Sequence, residues 1–516
     1  MRICKALNTA YLEIIIFAFS VASLLPVTVF AQSASLGEER PNIVILLADD
    51  LGWADVGYRG SDIKTPNIDR LAEEGVRLER FYAMPICTPT RAALMTGRDP
   101  MKLGSAYAGF QPWETGGVAP EERFMPETFK AAGYETAIVG KWHLGRSIEQ
   151  LTPNARGFDH FVGHLNTQID YFDYTVAGGY DLQENGTSVR REGQYATDVH
   201  ADEAVRFLTE IRDREKPFFL YVPFLAPHSP MQAPPELQKK YPFRLNAPFP
   251  KKTYAAMVDG LDGAIGRILD TLDQQGIAEN TIVLFFSDNG GISAFGADNS
   301  PLRGGKLTSF EGGVRVNAVL RWPNVLPANE LYTDIISVMD VYPTLAAASR
   351  LQPDAEKELD GQNRLPALTG DSEQPRQGPL YFGSNSPIYN RFHVGVIDGD
   401  WKLVQIIDHG NRETTVETFL FNLISDPNEK TNLANDNPKI VDRLSDAIND
   451  WRAQHPINGV LVGLVPHPGW RAPLDYAADV TPAEDVLDSG YDGYVSGLRL
   501  RILQQRHGEK GRIKYD

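Results

Sequence analysis

Four mostly apolar runs in this chain each end on polar residues capable of chemistry. Asn42 to Ala48 ends at Asp49-Asp50, Glu135 to Gly140 ends at Lys141-Trp142-His143, Pro217 to Pro223 leads into Ala226-Pro227-His228, and Thr281 to Ser287 leads into Asp288-Asn289. Runs of this length, bounded by polar residues, predict strands buried on both faces. Tyr254, Met257, Leu261, Ile265, Ile268 and Leu272 recur instead at helical spacing and predict the core face of a covering helix. Short apolar runs alternating with longer amphipathic ones predict βα units, and hence a mainly parallel sheet flanked by helices. In such sheets ligands bind beyond the carboxyl ends of the strands, where all four polar endings would fall.

From about Pro366 to Pro379 the composition shifts to Gly, Pro, Gln and Asp, which predicts a linker or crossing loop. Beyond it, Phe392 to Ile397, Lys402 to Ile407 and Thr418 to Leu423 predict short strands, and Pro438 to Trp451 a helix. The expected fold class is therefore α/β: a large domain over residues 40–378, then a smaller C-terminal α+β subdomain over 379–516 with a short antiparallel sheet. The irregular tail after His467 carries enough aromatic and apolar residues to pack partly onto the body.

A chain of 516 residues, 42% hydrophobic and 23% charged, can bury a large core and is neither disordered nor fibrous. Its net charge of -17 argues against a nucleic-acid partner and requires a locally basic pocket for any anionic substrate. Arg2 and Lys5 precede an apolar run from Ile14 to Leu25, and Val29-Phe30-Ala31 offers a cleavage site, so residues 1–31 read as a signal peptide. An uncleaved anchor is the alternative, although the run is short for a full span. The expected location is exported, periplasmic or secreted, with no stable membrane insertion after cleavage. Loss of the leader removes Cys4 and leaves Cys87 without a partner, as an inert core thiol or a reactive group. Asn185-Gly186-Thr187 is a possible glycosylation acceptor of a kind common by chance.

Cys87-Thr88-Pro89-Thr90-Arg91, continued by Ala92-Ala93-Leu94-Met95-Thr96-Gly97-Arg98, resembles the signature of the type I sulfatases. Further landmarks of that family run in order from Pro41-Asn42-Ile43 to Leu420-Phe421-Asn422-Leu423 and Asp426-Pro427. The branch resembled is the arylsulfatase B, or N-acetylgalactosamine-4-sulfatase-like, type. Its strings are Gly140-Lys141-Trp142-His143-Leu144-Gly145, His228-Ser229-Pro230-Met231-Gln232, Pro301-Leu302-Arg303-Gly304-Gly305-Lys306 and Glu311-Gly312-Gly313-Val314-Arg315. The resemblance implies an alkaline-phosphatase-like fold, and oxidation of Cys87 by a formylglycine-generating maturation enzyme to 3-oxoalanine (formylglycine), whose hydrated aldehyde is the nucleophile.

Asp49, Asp50, Asp288 and Asn289 form an all-oxygen set suited to a hard cation rather than zinc. The family points to Ca²⁺ over Mg²⁺, with the modified Cys87 also on the ion. A single strand-end Asp would more simply cap a turn; two pairs at two strand ends favour a ligand set. The spacing puts Arg91 one helical turn from Cys87 if a helix begins near Thr88, with Pro89 tolerated in its first turn. A structural ion pair is the alternative for Arg91. Lys141, His143, His228 and Lys306 are expected to form a positive lining, while His164 stays ambiguous. The roles implied by the resemblance make Asp288 the base that activates one hydroxyl of the hydrate. His228 and Lys306 would protonate or stabilise the departing alcohol oxygen, His143 would take the proton of the second hydroxyl, and Lys141 and Arg91 would offset sulfate charge.

Gln168, Asp170 and Arg303 stand in loops expected at the pocket rim and can bond sugar hydroxyls, although Gln168 and Asp170 are equally suited to capping their own loop. The resemblance implies a sulfated galactose or N-acetylgalactosamine substrate. Two other readings remain: a phosphate or phosphonate monoester hydrolase of the same superfamily, and a catalytically silent exported glycan-binding relative.

Overall fold

The computed structural model describes residues 39–241, 251–353, 358–386, 391–409, 413–456, 466 and 469–482. The leader segment 1–31 and the tail beyond 482 lie outside the described residues.

All four apolar runs form strands, and they lie side by side. A ten-stranded sheet has the order Glu330–Ser337, Val76–Tyr82, Ala318–Arg321, Thr281–Ser287, Asn42–Ala48, Phe218–Pro223, Glu135–Lys141, His160–His164, Gln183–Glu184, Thr187–Ser188. The stretch from Thr281–Ser287 to His160–His164 is parallel throughout. Its flanking strands are antiparallel, apart from the parallel pairing of Glu330–Ser337 with Val76–Tyr82. Register aligns the strand ends: Ala48 is opposite Ser287, Leu47 opposite Pro223, and Lys141 opposite His164.

Alternation along the central strand explains why its sequence is apolar throughout. Ile43, Ile45 and Leu47 enter the core on one face of the sheet, while Val44, Leu46 and Ala48 enter the core on the other. The second core receives the Lys251–Gln274 helix, in which the six helically spaced residues from Tyr254 to Leu272 are all buried. The first receives the Cys87–Thr96 helix, buried along its whole length.

A four-stranded antiparallel sheet follows, in the order Leu380–Ser386, Arg391–Asp398, Trp401–His409, Thr414–Asn422. The strand Leu380–Ser386, directly after the expected linker, is absent from the sequence reading. This sheet too is covered on both sides. Val394, Val396, Leu403 and Leu420 pack with Leu444, Ile448 and Trp451 of the Pro438–Arg452 helix, whereas Phe382, Ile397, Val404 and Phe421 join a core of the large sheet. Lys402 crosses between the two parts, its buried ammonium 2.8 Å from Glu311 and 3.0 Å from Glu429. Ser384 Oγ donates to the Leu307 carbonyl at 2.6 Å, so the small sheet also supports the loop carrying Lys306. All described residues belong to one compact unit.

Candidate active site

The aligned strand ends bring the selected residues into one buried cluster. Asp49 and Asp50 follow one strand and Asp288 and Asn289 its parallel neighbour, so the two pairs are adjacent. Asp50 has φ 69°, a left-handed conformation that costs a non-glycine residue about 1–3 kcal/mol and is concentrated at functional sites. Its N–H donates to Asp288 Oδ1 at 3.3 Å. His143 is likewise left-handed, at φ 59°.

Cys87 opens its helix beneath these turns. Its Sγ donates to Asp49 Oδ1 at 3.3 Å, and Lys306 Nζ lies 3.2 Å from the sulfur and 2.5 Å from Asp50 Oδ1. Arg91, one turn further on, bonds Asp49 Oδ2 at 3.2 Å and Asp288 Oδ2 at 2.9 Å through Nη2, and the Lys141 carbonyl at 3.1 Å through Nη1. Lys141 Nζ reaches Asp49 Oδ2 at 2.7 Å. Three carboxylates therefore face three cations, all out of water or nearly so. Thr90, not singled out in the sequence, fastens the helix to this floor by donating to the Asp288 carbonyl at 2.6 Å.

Burial would raise Asp49, but the charges of Lys141, Arg91 and Lys306 outweigh it and hold the carboxyl well below its usual range. Burial and the neighbouring Asp49 raise Asp288 to about 7 against the pull of Arg91. Burial, Asp288 and Asp49 also push the Cys87 thiol upward, so an unmodified Cys87 stays a protonated, weak nucleophile. Lys306 is held above the ordinary lysine value, since Asp50, Asp49 and Asp288 outweigh its burial.

Both site histidines are kept neutral. Burial, Lys141 and Arg91 lower His143 well below its usual value, and burial with Lys306 lowers His228 to about 4. The hydrogen bonds then fix the tautomers, because a carbonyl only accepts. His143 Nε2 donates to the Phe110 carbonyl at 3.0 Å, leaving Nδ1 buried, unpartnered and free to accept a proton. His228 Nδ1 donates to the Ser229 carbonyl at 2.6 Å and presents Nε2 as a lone pair, 3.7 Å from Asp50 Oδ2.

The donor set fits a cation. Ligand atoms of Asp49, Asp50, Cys87 and His228 all lie within 4.8 Å of one another. Asp50 Oδ2 and Asn289 Oδ1 are buried without a hydrogen-bond partner; the Asn289 amide nitrogen is spent on Asp50 Oδ1 at 2.7 Å and the Gly290 carbonyl at 3.0 Å, so its oxygen is left over. Buried acceptors of this kind normally hold something. His228 was not among the ligands expected from the sequence, and its lone pair adds it as a candidate.

Comparison with known proteins decides the family. The sulfatase family description matches residues 41–350, and the description "N-sulphoglucosamine sulphohydrolase, C-terminal" matches residues 305–454. The chain belongs to the sulfatase family. This sulfatase is 33% identical over 458 residues to arylsulfatase J of Mus musculus, covering 80% of this chain and 76% of the relative. It is 37% identical over 362 residues to N-acetylgalactosamine-6-sulfatase of Homo sapiens, covering 65% and 67% respectively. The solved structure of Ps i-CgsB in complex with k-i-k-neocarrahexaose superposes with a TM-score of 0.73 at 32% identity, covering 88% of this chain and 100% of the other. The chain is thus a sulfatase of alkaline-phosphatase-like architecture.

The rim residues of this sulfatase have other engagements. Asp170 accepts from the Phe172 and Asp173 N–H groups and from Gln232 Nε2 at 2.6 Å. Gln232 Oε1 in turn accepts from Tyr171 N–H, and the Tyr171 hydroxyl donates to the His228 carbonyl at 2.8 Å. Asp170 therefore anchors the loop that presents His228. Arg303 donates to the Glu429 carbonyl at 3.2 Å and stacks over Phe310 and Phe419, at 4.2 and 4.8 Å, binding its loop to the small sheet. Gln168 is partly exposed. Tyr254, expected only to fill the core, also donates to Asp55 at 2.8 Å and accepts from Gly52 N–H at 3.0 Å, which steadies the turn after Asp50.

Proposed function

We propose that this sulfatase removes sulfate from a sulfated carbohydrate of the galactose or N-acetylgalactosamine type, using a formylglycine made from Cys87. The observation that carries the reading is the setting of the Cys87 sulfur: it touches Asp49 and Lys306 at the centre of a buried charge cluster, yet its own thiol is held protonated. A side chain so placed, with its thiol chemistry suppressed, suits a site built for a different functional group. Hydrated formylglycine supplies an acidic geminal diol, one hydroxyl to attack sulfur and a second whose ionisation expels sulfate.

Asp288 is the base beside the first hydroxyl, with Arg91 fixing its orientation. Lys306 stays charged and stabilises the departing alcohol oxygen, a role His228 shares only after taking a proton on Nε2. His143 Nδ1 accepts the proton of the second hydroxyl, while Lys141 and Arg91 offset charge on the sulfate. Asp49, Asp50, Asp288, Asn289 and residue 87 would hold Ca²⁺, which neutralises sulfate charge and supplies Lewis acidity when bound. Three carboxylates already match three cations, so a divalent ion would leave a surplus of positive charge for the anion.

Cys87 is 2% exposed, so a maturation enzyme would have to meet it before the chain folds. Export of the protein rests on the leader sequence; among the described residues no helix is long and apolar enough to cross a membrane.

Mass spectrometry of the Cys87 peptide, alongside sulfate release from sulfated galactose and N-acetylgalactosamine saccharides, tests the reading. Aldehyde at residue 87 and loss of turnover in Cys87→Ala with unfolding unchanged are expected. Turnover by a protein carrying only the thiol would refute the mechanism, and faster cleavage of phosphate monoesters would refute the assigned reaction. Chelation should abolish activity, with Ca²⁺ restoring it better than Mg²⁺.

A further inference from the structure

Of the seven tryptophans, Trp113 and Trp470 alone are neither buried nor packed against a core cluster. They lie far apart in sequence yet meet edge-to-face, with ring centroids 5.8 Å apart at 73°. Among the described residues neither indole N–H has a hydrogen-bond partner. Both are part-buried, and a pair of indoles that joins neither a core cluster nor a polar partner leaves an apolar ring surface and an N–H available to a ligand.

Their position relative to the reaction is set by the chain. Trp113 lies three residues beyond Phe110, whose carbonyl holds His143. Gly109 is so close that a Cβ there would stand 3.0 Å from His143 Cε1 and 2.9 Å from Thr88 Oγ1. The loop from Gly109 to Trp113 therefore leads directly from the catalytic histidine to the indole. Trp470 is brought to it by a tail segment tied to the loop that follows Lys141 and His143. Arg146 pairs with Asp479 at 2.9 Å, donates to the Pro112 carbonyl and stacks on Tyr476 at 4.8 Å. Thr481 exchanges backbone hydrogen bonds of 2.9 Å with Ser147 and Glu149, and Ser147 Oγ donates to the Thr115 carbonyl. Arg146 thus clamps both tryptophan-bearing segments to the loop carrying the catalytic pair.

We infer that Trp113 and Trp470 form a stacking platform for a pyranose ring of the glycan substrate, a subsite beside the sulfate position. The inference rests on the proposed carbohydrate substrate and adds the surface that holds its neutral part. A pyranose offers an apolar C–H face that an indole covers, and its hydroxyls can accept from the free indole N–H. The charged cluster around Cys87 recognises sulfate and has no apolar face for the ring.

The test uses the full chain and its Trp113→Ala, Trp470→Ala and Trp113→Phe variants. Kinetics are measured on monosulfated galactose and N-acetylgalactosamine oligosaccharides, with inorganic sulfate as inhibitor. Either alanine variant should raise KM about tenfold, equivalent to about 1.4 kcal/mol, while the inhibition constant for sulfate stays within about twofold and Trp113→Phe recovers most of the loss. Unchanged KM in both alanine variants overturns the platform, as does a parallel rise in the sulfate constant, which would mark a merely structural role. Intrinsic fluorescence of the wild type titrated with the desulfated oligosaccharides separates this from the activity itself. A saturable change that disappears in Trp113→Ala upholds the platform even if no sulfate is released, and no change in the wild type overturns it even if sulfate is released.

Discussion

Replacing Arg91 with lysine keeps the charge and removes the fork, which makes it a sharp probe of how the site is held. The guanidinium serves three acceptors with two nitrogens: both carboxylates through Nη2 and the Lys141 carbonyl through Nη1. A single ammonium can take the place of Nη2 but leaves the Lys141 carbonyl without its donor. An orphaned buried acceptor costs about 1–3 kcal/mol, so Arg91→Lys should lose that much. Arg91→Met also removes the ion-pair partner of buried Asp288, while Asp49 keeps Lys141 at 2.7 Å, and breaking such a buried pair costs about 3–5 kcal/mol. Equilibrium urea unfolding should rank the proteins wild type, lysine, methionine, with the midpoints falling at constant slope. Turnover should fall at least about a hundredfold in both variants, because Asp288 and Lys141 lose their common brace. A methionine variant as stable as wild type would refute the reasoning, since Asp288 would then be neutral or held by something else.

Asp99 gives a pH prediction away from the active site. Burial raises it to about 6 despite hydrogen bonds from the Met101 N–H and Trp451 Nε1. The folded state holds this proton more tightly than the unfolded chain, so the associated stability is complete below about pH 4 and lost as pH rises through about 6. The loss amounts to about 3 kcal/mol, and Asp99→Asn should flatten that part of the stability profile relative to wild type; parallel profiles would sink the assignment. Gly140 has φ 131° and faces Gly163 in register, and a Cβ on it would stand 2.1 Å from the Pro223 carbonyl oxygen. Gly140→Ala should therefore destabilise by about 4 kcal/mol or more, read by urea unfolding, and a loss below about 1 kcal/mol would show that the strands can part at no great cost.

The parallel heart of the fold was legible because burial on both faces leaves a continuous apolar run, and because its polar residues gather at strand ends. Val76–Tyr82 escaped notice for the opposite reason: Arg77, Glu79 and Arg80 interrupt it, and Val76, Leu78, Phe81 and Tyr82 carry its burial. Leu380–Ser386 contains Gly383, Ser384 and Asn385, poor strand formers, and takes its conformation from the full-length register with Arg391–Asp398. At the site, residue types and strand-end positions located the cluster around Cys87. They could not show that Asn289 turns its oxygen free, or that His228 presents a lone pair, since each depends on a hydrogen bond visible only in three dimensions. Asp170 caps its own loop through the Phe172 and Asp173 N–H groups, the alternative its sequence allowed, whereas its bond to Gln232 and that of Arg303 to Glu429 span 62 and 126 residues and had no local signal.

The brace from Lys402 to Glu311 and Glu429 bears on the order in which this protein can be finished. Cys87 leaves the ribosome about 300 residues ahead of Lys402. Until the Trp401–His409 strand arrives, the segment between Lys306 and Glu311 lacks the floor that presses its lysine against the Cys87 sulfur. A nascent chain would therefore keep that cysteine open to a modifying enzyme for most of its synthesis, and the last sheet to form would be the one that closes the opportunity.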